Sequence, residues 1–380
     1  MAPKRRPNKR GKFAEHDRGR SYGKPDKGDS FGPPAALFEV EVLPGLVPFV
    51  AEELKRFGAQ LLVAGEGGVT FYYTGPRARL FELRRCVSVY EVLRFDVPRP
   101  KALLGHEHFT RILALVGRLR QGPPEQEFAG IRLGAAGGGS PVFARLTSAL
   151  AEASGLAHRS DDNRSDDGEL LLRFRRDPKG GWEVLGRLTP RPLSARAWRE
   201  CNMPGGLNAS IAAVSHDLLG SSAGDRYLNL MCGSGTLLIE RGLAGKWARG
   251  VGIDIERQAI ACASRNVAAA GLMAKAELLV ADALSLPFER SSFNRLSVDL
   301  PWGDAVGDHQ GNAQLYPRFL DEAGRVAAPS ANLLVITHEL KLFERVLAAQ
   351  SLWRLGREPL RVFQGGHRPG LHLLERSRKP

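Results

Sequence analysis

Tyr227-Leu228-Asn229-Leu230-Met231-Cys232-Gly233-Ser234-Gly235-Thr236-Leu237-Leu238-Ile239-Glu240 decides the fold. An apolar run enters, two glycines break it, and an apolar helical pattern leaves. The pattern predicts a strand, a tight loop and the start of a helix, a cradle for a nucleotide-like ligand. Glycine lets the backbone approach a ligand with no side chain in between. Val251-Gly252-Ile253-Asp254-Ile255 reads as a second strand tipped by an acid, and Asp254 stands 19 residues beyond Gly235. That distance suits a carboxylate holding ribose hydroxyls.

A dinucleotide loop wants a third Gly or Ala to pack helix on strand and seat a pyrophosphate. Leu238 occupies that position here, and the loop has no basic residue. No Gly-Lys-Ser/Thr follows, so a Walker phosphate loop is absent as well. An adenosine cofactor without phosphates fits better, namely S-adenosylmethionine. Leu278-Leu279-Val280-Ala281-Asp282 predicts a third strand whose terminal acid, followed by Ala283, suits an adenine amino group. Phe293-Asn294-Arg295-Leu296-Ser297-Val298 then runs into Asp299-Leu300-Pro301-Trp302-Gly303.

This order of strand-end acids, closing on Asp-x-Pro-aromatic, resembles the class I methyltransferases that modify exocyclic base nitrogens. More narrowly, Met231-Cys232-Gly233-Ser234-Gly235-Thr236 with Ile239-Glu240, then Asp299-Leu300-Pro301-Trp302-Gly303, resembles the THUMP-containing RNA guanine-N2 methyltransferases in their tRNA N2-methylguanosine branch. The resemblance is carried by the chain from about residue 200 to 380. It implies an enzyme, a tRNA (guanine-N2)-methyltransferase, with S-adenosylmethionine as cofactor. It also implies a tRNA held by its acceptor stem and 3′ end, commonly methylated at the sixth nucleotide. No protein partner and no metal are implied. The catalytic set carried over is Asp299, Leu300, Pro301 and Trp302. The cofactor set is Leu207, Asn208, Asn229, Met231, Cys232, Gly233, Ser234, Gly235, Thr236, Asp254, Ile255, Asp282 and Ala283. One position departs from the pattern: Asn229 stands where the family usually has Asp. Asn keeps an acceptor but adds donors and loses the charge, so cofactor affinity is the property at stake.

The chemistry of amine methylation fits these residue types. Guanine N2 is a poor nucleophile and must be fixed about 3–3.5 Å from the methyl carbon, in line. Asp299 and the Leu300 carbonyl, aimed by Pro301, can each accept a hydrogen bond from one amine N–H. Trp302 offers a flat face for an extruded base, a contact worth about 1–3 kcal/mol. Asn208 is also a good helix N-cap, and Cys232 reads as a small packing residue with no basic neighbour to activate it. Three other readings stay open: the same chemistry on 23S rRNA, adenine N6 methylation, and a non-catalytic RNA-binding protein with a decayed methyltransferase fold. Only Asn229 encourages the last.

The composition bounds the rest. The 380 residues exceed one ordinary core, and 43% hydrophobic with 25% charged residues reads as soluble and globular. A net charge of +13 points to a polyanionic partner such as nucleic acid. No apolar run reaches the ~20 residues of a membrane span, and no leader pattern is visible. Cys86, Cys201, Cys232 and Cys262 form no Cys-x-x-Cys pair, which reads as reduced thiols in a cytoplasmic protein. His106 and His108 lack a third ligand nearby, so no metal is expected.

Along the chain, residues 1–34 read as a disordered basic tail, with ten Lys and Arg against four acids. Residues 35–98 alternate strand, helix, two strands, helix and strand, the order of a ferredoxin-like domain. The second of those helices is expected from Pro76, with Leu80, Leu83 and Val87 on one face. Residues 99–196 resemble, by their position, a THUMP domain, which implies an RNA-binding unit, with a polar loop at 161–168. Residues 197–380 alternate strand and helix as an S-adenosylmethionine-dependent methyltransferase domain should. The expected class is therefore α/β: a C-terminal class I, Rossmann-like methyltransferase domain preceded by ferredoxin-like and THUMP-like α+β domains.

Overall fold

The computed structural model describes residues 35–122, 127–135, 139–158, 168–301 and 309–377. The basic tail, most of the 161–168 loop and Trp302 lie outside them.

The N-terminal half contains β1 (Ala36–Glu41), α1 (Val47–Arg56), β2 (Gln60–Gly65), β3 (Gly68–Tyr73) and β4 (Ser88–Phe95). It continues with α2 (His106–Leu119), β5 (Gly130–Ala135), α3 (Pro141–Ser154), β6 (Glu169–Arg176) and β7 (Trp182–Arg187). Alternation drives β1: Phe38 and Val40 enter the core while Glu39 and Glu41 take the other face. The first four strands lie in the ferredoxin-like order β2-β3-β1-β4. The sheet then continues through β7, β6 and β5, so seven strands form one surface across the 98/99 boundary. We keep the division of the chain at 34/35, 98/99 and 196/197 as a proposal about units of sequence.

One expected element takes a different form. Instead of an α-helix from Pro76, the chain makes a short 3-10 turn at Arg77–Glu82. Leu80 and Leu83 are buried, while Val87 is only half-buried. The next two residues explain the early stop. The backbone N–H groups of Arg84 and Arg85 each donate to the buried Glu53 carboxylate at 3.1 Å. That tether pulls the chain straight before it enters β4.

The C-terminal half contains α4 (Ala209–Leu219), β8 (Arg226–Leu230), α5 (Thr236–Ala244), β9 (Arg249–Asp254), α6 (Arg257–Ala269) and β10 (Ala276–Val280). It continues with β11 (Phe293–Asp299), α7 (His309–Val326), β12 (Ala327–Thr337), α8 (Leu340–Ala348), β13 (Trp353–Leu355), β14 (Leu360–Arg361) and β15 (Gly370–Arg376). The sheet order is β10-β9-β8-β11-β12-β15-β13, with β14 beside β15. Strands β8 to β12 run parallel and β15 is antiparallel. The order reverses between β8 and β11. Crevices at the carboxyl ends of strands beside such a reversal are where open α/β sheets bind ligands. Nearly every side of α4 is buried, the signature of a helix enclosed between layers. One apolar cluster runs from Phe38 through Leu54, Trp198 and Ile211 to Leu371, joining the two halves.

Two further features set the frame. Arg241 and Asp225 form a fully buried pair at 2.6 Å. Cys201 and Cys262, 61 residues apart, form a disulfide with Cα atoms 5.5 Å apart, which corrects the expectation of four reduced thiols. Only the fold brings them together, because the segment before α4 crosses α6. Cys86 and Cys232 are free and buried. No described helix is long and apolar enough to cross a membrane.

Buried histidines give the fold a pH dependence. Burial lowers His216 from 6.5 to about 3 and His372 to about 4. The unfolded chain therefore binds protons below pH ~6.5 that the folded chain refuses until about pH 3 to 4. Stability is complete above that window and lost as pH falls through it. His216 also bonds the Leu237 carbonyl through Nε2 at 2.8 Å, so a Gln there can keep a donor. The expected result is a melting temperature that falls between roughly pH 7 and 4.5, with a shallower fall in His216→Gln. An equal slope in wild type and variant would refute the linkage.

Candidate active site

The glycine loop is built by backbone strain. Met231 has φ of +48°, Gly233 +53° and Gly235 +82°. A non-glycine residue in the left-handed region costs on the order of 1–3 kcal/mol and persists where surrounding bonds fix it. Here Cys232 N–H donates to the Ile253 carbonyl and Gly235 N–H to the Cys232 carbonyl, both at 2.8 Å. A Cβ at Gly235 would press on Ala263 at 3.2 Å, so glycine also sets the α5–α6 approach.

Asp254 ends β9 beside this loop. Its Oδ2 accepts from Gly233 N–H at 2.8 Å and its Oδ1 from Glu256 N–H at 3.0 Å. Each oxygen retains a lone pair for a ligand hydroxyl. Ile255 next to it is 62% exposed, an apolar face at the rim. Asp282 follows β10 and uses Oδ1 to accept from Leu284 N–H at 2.8 Å, the turn role that its residue type also allows. Asp299 is the last residue of β11, half-buried, and Leu300 N–H is held by the Ile336 carbonyl at 2.9 Å.

These groups meet in one cavity of about 530 Å³. Leu207, Asn229, Met231, Cys232, Gly233, Ser234, Thr236, Asp254, Ile255, Asp282, Ala283, Asp299, Leu300 and Pro301 all line it. Gly235 lies beneath the loop as the helix cap, and Trp302 lies outside the described residues. Asn208 is not on this wall. It caps α4 by accepting from Ser210 N–H at 2.8 Å and faces a neighbouring cleft. Among the described residues the cavity carries four carboxylates (Asp254, Glu256, Asp282 and Asp299) and no Lys, Arg or His. Burial and the Asp254 charge push the Cys232 thiol up, so it has no nucleophilic character.

Asn229 has a structural use. Its Oδ1 accepts from Leu238 N–H in the first turns of α5 at 3.2 Å. Its Nδ2 faces the carbonyls of Leu230 at 3.3 Å and Ser297 at 3.4 Å. The amide thus ties α5 to β8 and β11 at the inner wall of the cavity. A carboxylate cannot donate to those carbonyls.

Several positioning residues carry no sequence motif. Asn266 is fully buried on α6. It accepts from the N–H groups of Glu200 and Cys201 at 2.9 Å each and donates to the carbonyls of Cys201 at 2.9 Å and Ser234 at 3.0 Å. One side chain thereby fixes the 199–207 approach segment to the glycine loop. Its only signal was a polar residue at helical spacing among Ala259, Cys262, Ala263 and Val267. Arg199 adds bonds from Nη2 to Leu207 O and Thr236 Oγ1, both 3.0 Å. On α7, buried Asn312 and Tyr316 both donate to the Pro301 carbonyl, at 3.1 and 3.0 Å. Burial pushes the Tyr316 phenol up to about 12, so it stays a donor. These bonds fix the turn after Asp299.

The comparisons with known proteins agree with this architecture. Residues 196–368 match the RMKL-like methyltransferase domain family. The chain is 34% identical over 123 residues to the U6 snRNA (guanine-N(2))-methyltransferase THUMPD2 of Bos taurus, covering 32% of this chain and 24% of that protein. It is 25% identical over 193 residues to the tRNA (guanine(6)-N2)-methyltransferase of Methanocaldococcus jannaschii, covering 41% of this chain and 51% of that one. It therefore spans between a quarter and about half of these relatives' length. TrmN from Thermus thermophilus superposes with a TM-score of 0.65 at 24% identity, covering 90% of this chain and 99% of that chain.

Replacement of Asn229 by Asp separates its two roles. Asn229→Asp should lower stability by about 1–3 kcal/mol, because two carbonyls lose donors beside a buried charge. Cofactor affinity per folded molecule should not rise. Urea melts and calorimetric titration read both, and tighter cofactor binding with unchanged stability would show the opposite role. The C-terminal half has the fold of the class I methyltransferases, and its sequence matches an RMKL-like methyltransferase domain over residues 196–368.

Proposed function

We propose that this chain is an S-adenosylmethionine-dependent RNA methyltransferase that modifies guanosine N2 in tRNA, in the acceptor stem. The observation that carries the reading is the charge of the cavity. In a chain of net charge +13, a cavity with four carboxylates and no cation among the described residues suits a cationic, phosphate-free cofactor. It disfavours dinucleotides and nucleoside triphosphates. The residues fit the cofactor: Asp254 offers lone pairs to ribose hydroxyls, Ile255 a face to adenine, and the Met203–Leu207 stretch a wall at the other end.

The cofactor supplies an electrophilic methyl carbon on a sulfonium. The protein's task is to hold the amine. Asp299 accepts a hydrogen bond from one amine N–H and the Leu300 carbonyl from the other, so both contacts strengthen as positive charge grows on nitrogen. Asn312 and Tyr316 hold the Pro301 carbonyl, which fixes the turn that follows Asp299 and Leu300. Trp302, next in sequence, is proposed to stack on the base, whose extrusion from a stem costs a few kcal/mol. With the cofactor bound, it would supply the methyl carbon to N2 and leave as a neutral thioether, while the methylated nitrogen held by Asp299 would shed one proton through that carboxylate to water.

The relatives named for guanine-N2 methylation of tRNA and of U6 snRNA support RNA guanosine as the substrate class. The substrate test is methyl-tritium transfer from labelled cofactor to separated tRNA and rRNA fractions, followed by nucleoside mapping. Label in N2-methylguanosine of tRNA is expected. Label in 23S rRNA, in N6-methyladenosine or nowhere overturns the reading.

The residue test uses single turnover. Asp299→Ala should lower kcat by about 10²-fold or more with cofactor and RNA binding retained, since its contact matures only in the transition state. Trp302→Ala should weaken base capture while cofactor affinity stays the same. Near-normal turnover by Asp299→Ala removes this stretch from the reaction.

A further inference from the structure

A second concavity of about 490 Å³ lies between the seven-stranded sheet and the segment before α4. It shares Gly206 and Leu207 with the cavity described above, so one strip of backbone separates the two. Among the described residues its walls carry Arg132, Arg187, Arg191 and Arg199, with Glu169 the single carboxylate.

The condition of these arginines is informative. Arg132 pairs with Glu169 at 2.6 Å. Arg187 is buried and spends its donors on the carbonyls of Thr189, Glu169 and Pro190. Arg199 donates to Leu207 O and Thr236 Oγ1, and its buried Nε has no partner. Neither Arg187 nor Arg199 has a carboxylate partner among the described residues. Burial lowers the pKa of both, and the Glu169 charge near Arg187 and the Glu240 charge near Arg199 oppose that without cancelling it. A buried cation solvated only by neutral oxygens is costly unless an anion joins it. The α4 N-terminus also begins at this cleft, at Asn208, and adds partial positive charge.

We propose that this cleft binds a backbone phosphodiester of the RNA substrate, one close to the nucleotide whose base enters the neighbouring cavity. The inference rests on the RNA-methyltransferase reading above. It gives the shared Gly206–Leu207 strip a purpose: a phosphate anchored on one side fixes the approach of the base to the other. Such a contact carries no base information and sets register only.

The experiment measures binding of bulk tRNA by the full chain at several salt concentrations, alongside methyl transfer and cofactor affinity. Arg191→Gln and Arg132→Gln both sit on the cleft wall and outside the cofactor cavity. Each should weaken RNA binding several-fold at low salt. Each should also reduce the slope of log K against log salt by about 0.7–0.9, the value for one lost phosphate contact. KM for RNA should rise, with cofactor affinity unchanged. Unaltered slope and RNA affinity in both variants overturn the cleft. Inorganic phosphate at constant ionic strength supplies the remaining arm. If it raises the melting temperature of wild type but not of the variants, while the RNA slopes coincide, the site takes free phosphate and the proposal fails. Absence of methyl transfer by wild type, with the slope difference present, instead sinks the enzymatic reading and leaves the cleft standing.

Discussion

The carboxylate of Glu240 is the constraint on which both halves depend. It is fully buried in α5, the helix that grows out of the glycine loop. Arg84 reaches it from the N-terminal half through Nε at 3.1 Å, and its Nη2 takes the Glu240 carbonyl at 2.9 Å. Arg196 reaches it from the linker through Nε at 2.8 Å. A buried carboxylate without partners would cost several kcal/mol, so each arginine is needed where it is. Beside it, Arg85 bridges Glu53 of α1 and Asp217 of α4. The cofactor loop is thus anchored through its own helix to the seven-stranded sheet. Motion of the sheet against the C-terminal half would have to break this buried network.

The same economy recurs at finer scale. Three buried amides do the positioning around the cavity: Asn229 behind the loop, Asn266 beneath it and Asn312 at the far end. Each has both donor and acceptor, which lets it join two backbone segments that no regular ladder connects. Loop backbone near a ligand cannot use helix or sheet bonds, so its N–H and C=O groups need such partners. The Cys201–Cys262 disulfide reinforces one of these junctions, next to Asn266 on α6.

What the sequence revealed followed the range of the interactions. The strand, loop and helix at 227–240 and the acids at 254, 282 and 299 were legible, because strand ends and turns are encoded by neighbours. The ferredoxin-like order was legible for the same reason. Pairing between β4 and β7, which makes one sheet of two stretches of chain, was not, since register across that distance leaves no local pattern. The expected helix after Pro76 was cut short by Glu53, 31 residues upstream of Arg84. The disulfide had no spacing motif to announce it. Asn229 looked like a defect in a cofactor site because a single sequence shows the residue type and hides the two carbonyls it faces.

Charge distribution connects these observations. Among the described residues, carboxylates concentrate on one side of the Gly206–Leu207 strip and guanidinium groups on the other, within a chain of overall charge +13. Random placement of basic residues on the surface would give a cofactor cavity of mixed sign. Segregation has a physical consequence. At short range in a low-dielectric site, a carboxylate wall attracts a sulfonium and repels phosphate, while the arginine wall does the reverse. An anionic polymer and a cationic small molecule can then occupy adjacent spaces, each excluded from the other's. Under the proposed function, the base must cross from the basic side to the acidic side as a neutral ring. The phosphates stay behind on the arginines, and only the exocyclic amine, gaining positive charge during reaction, is drawn onto Asp299.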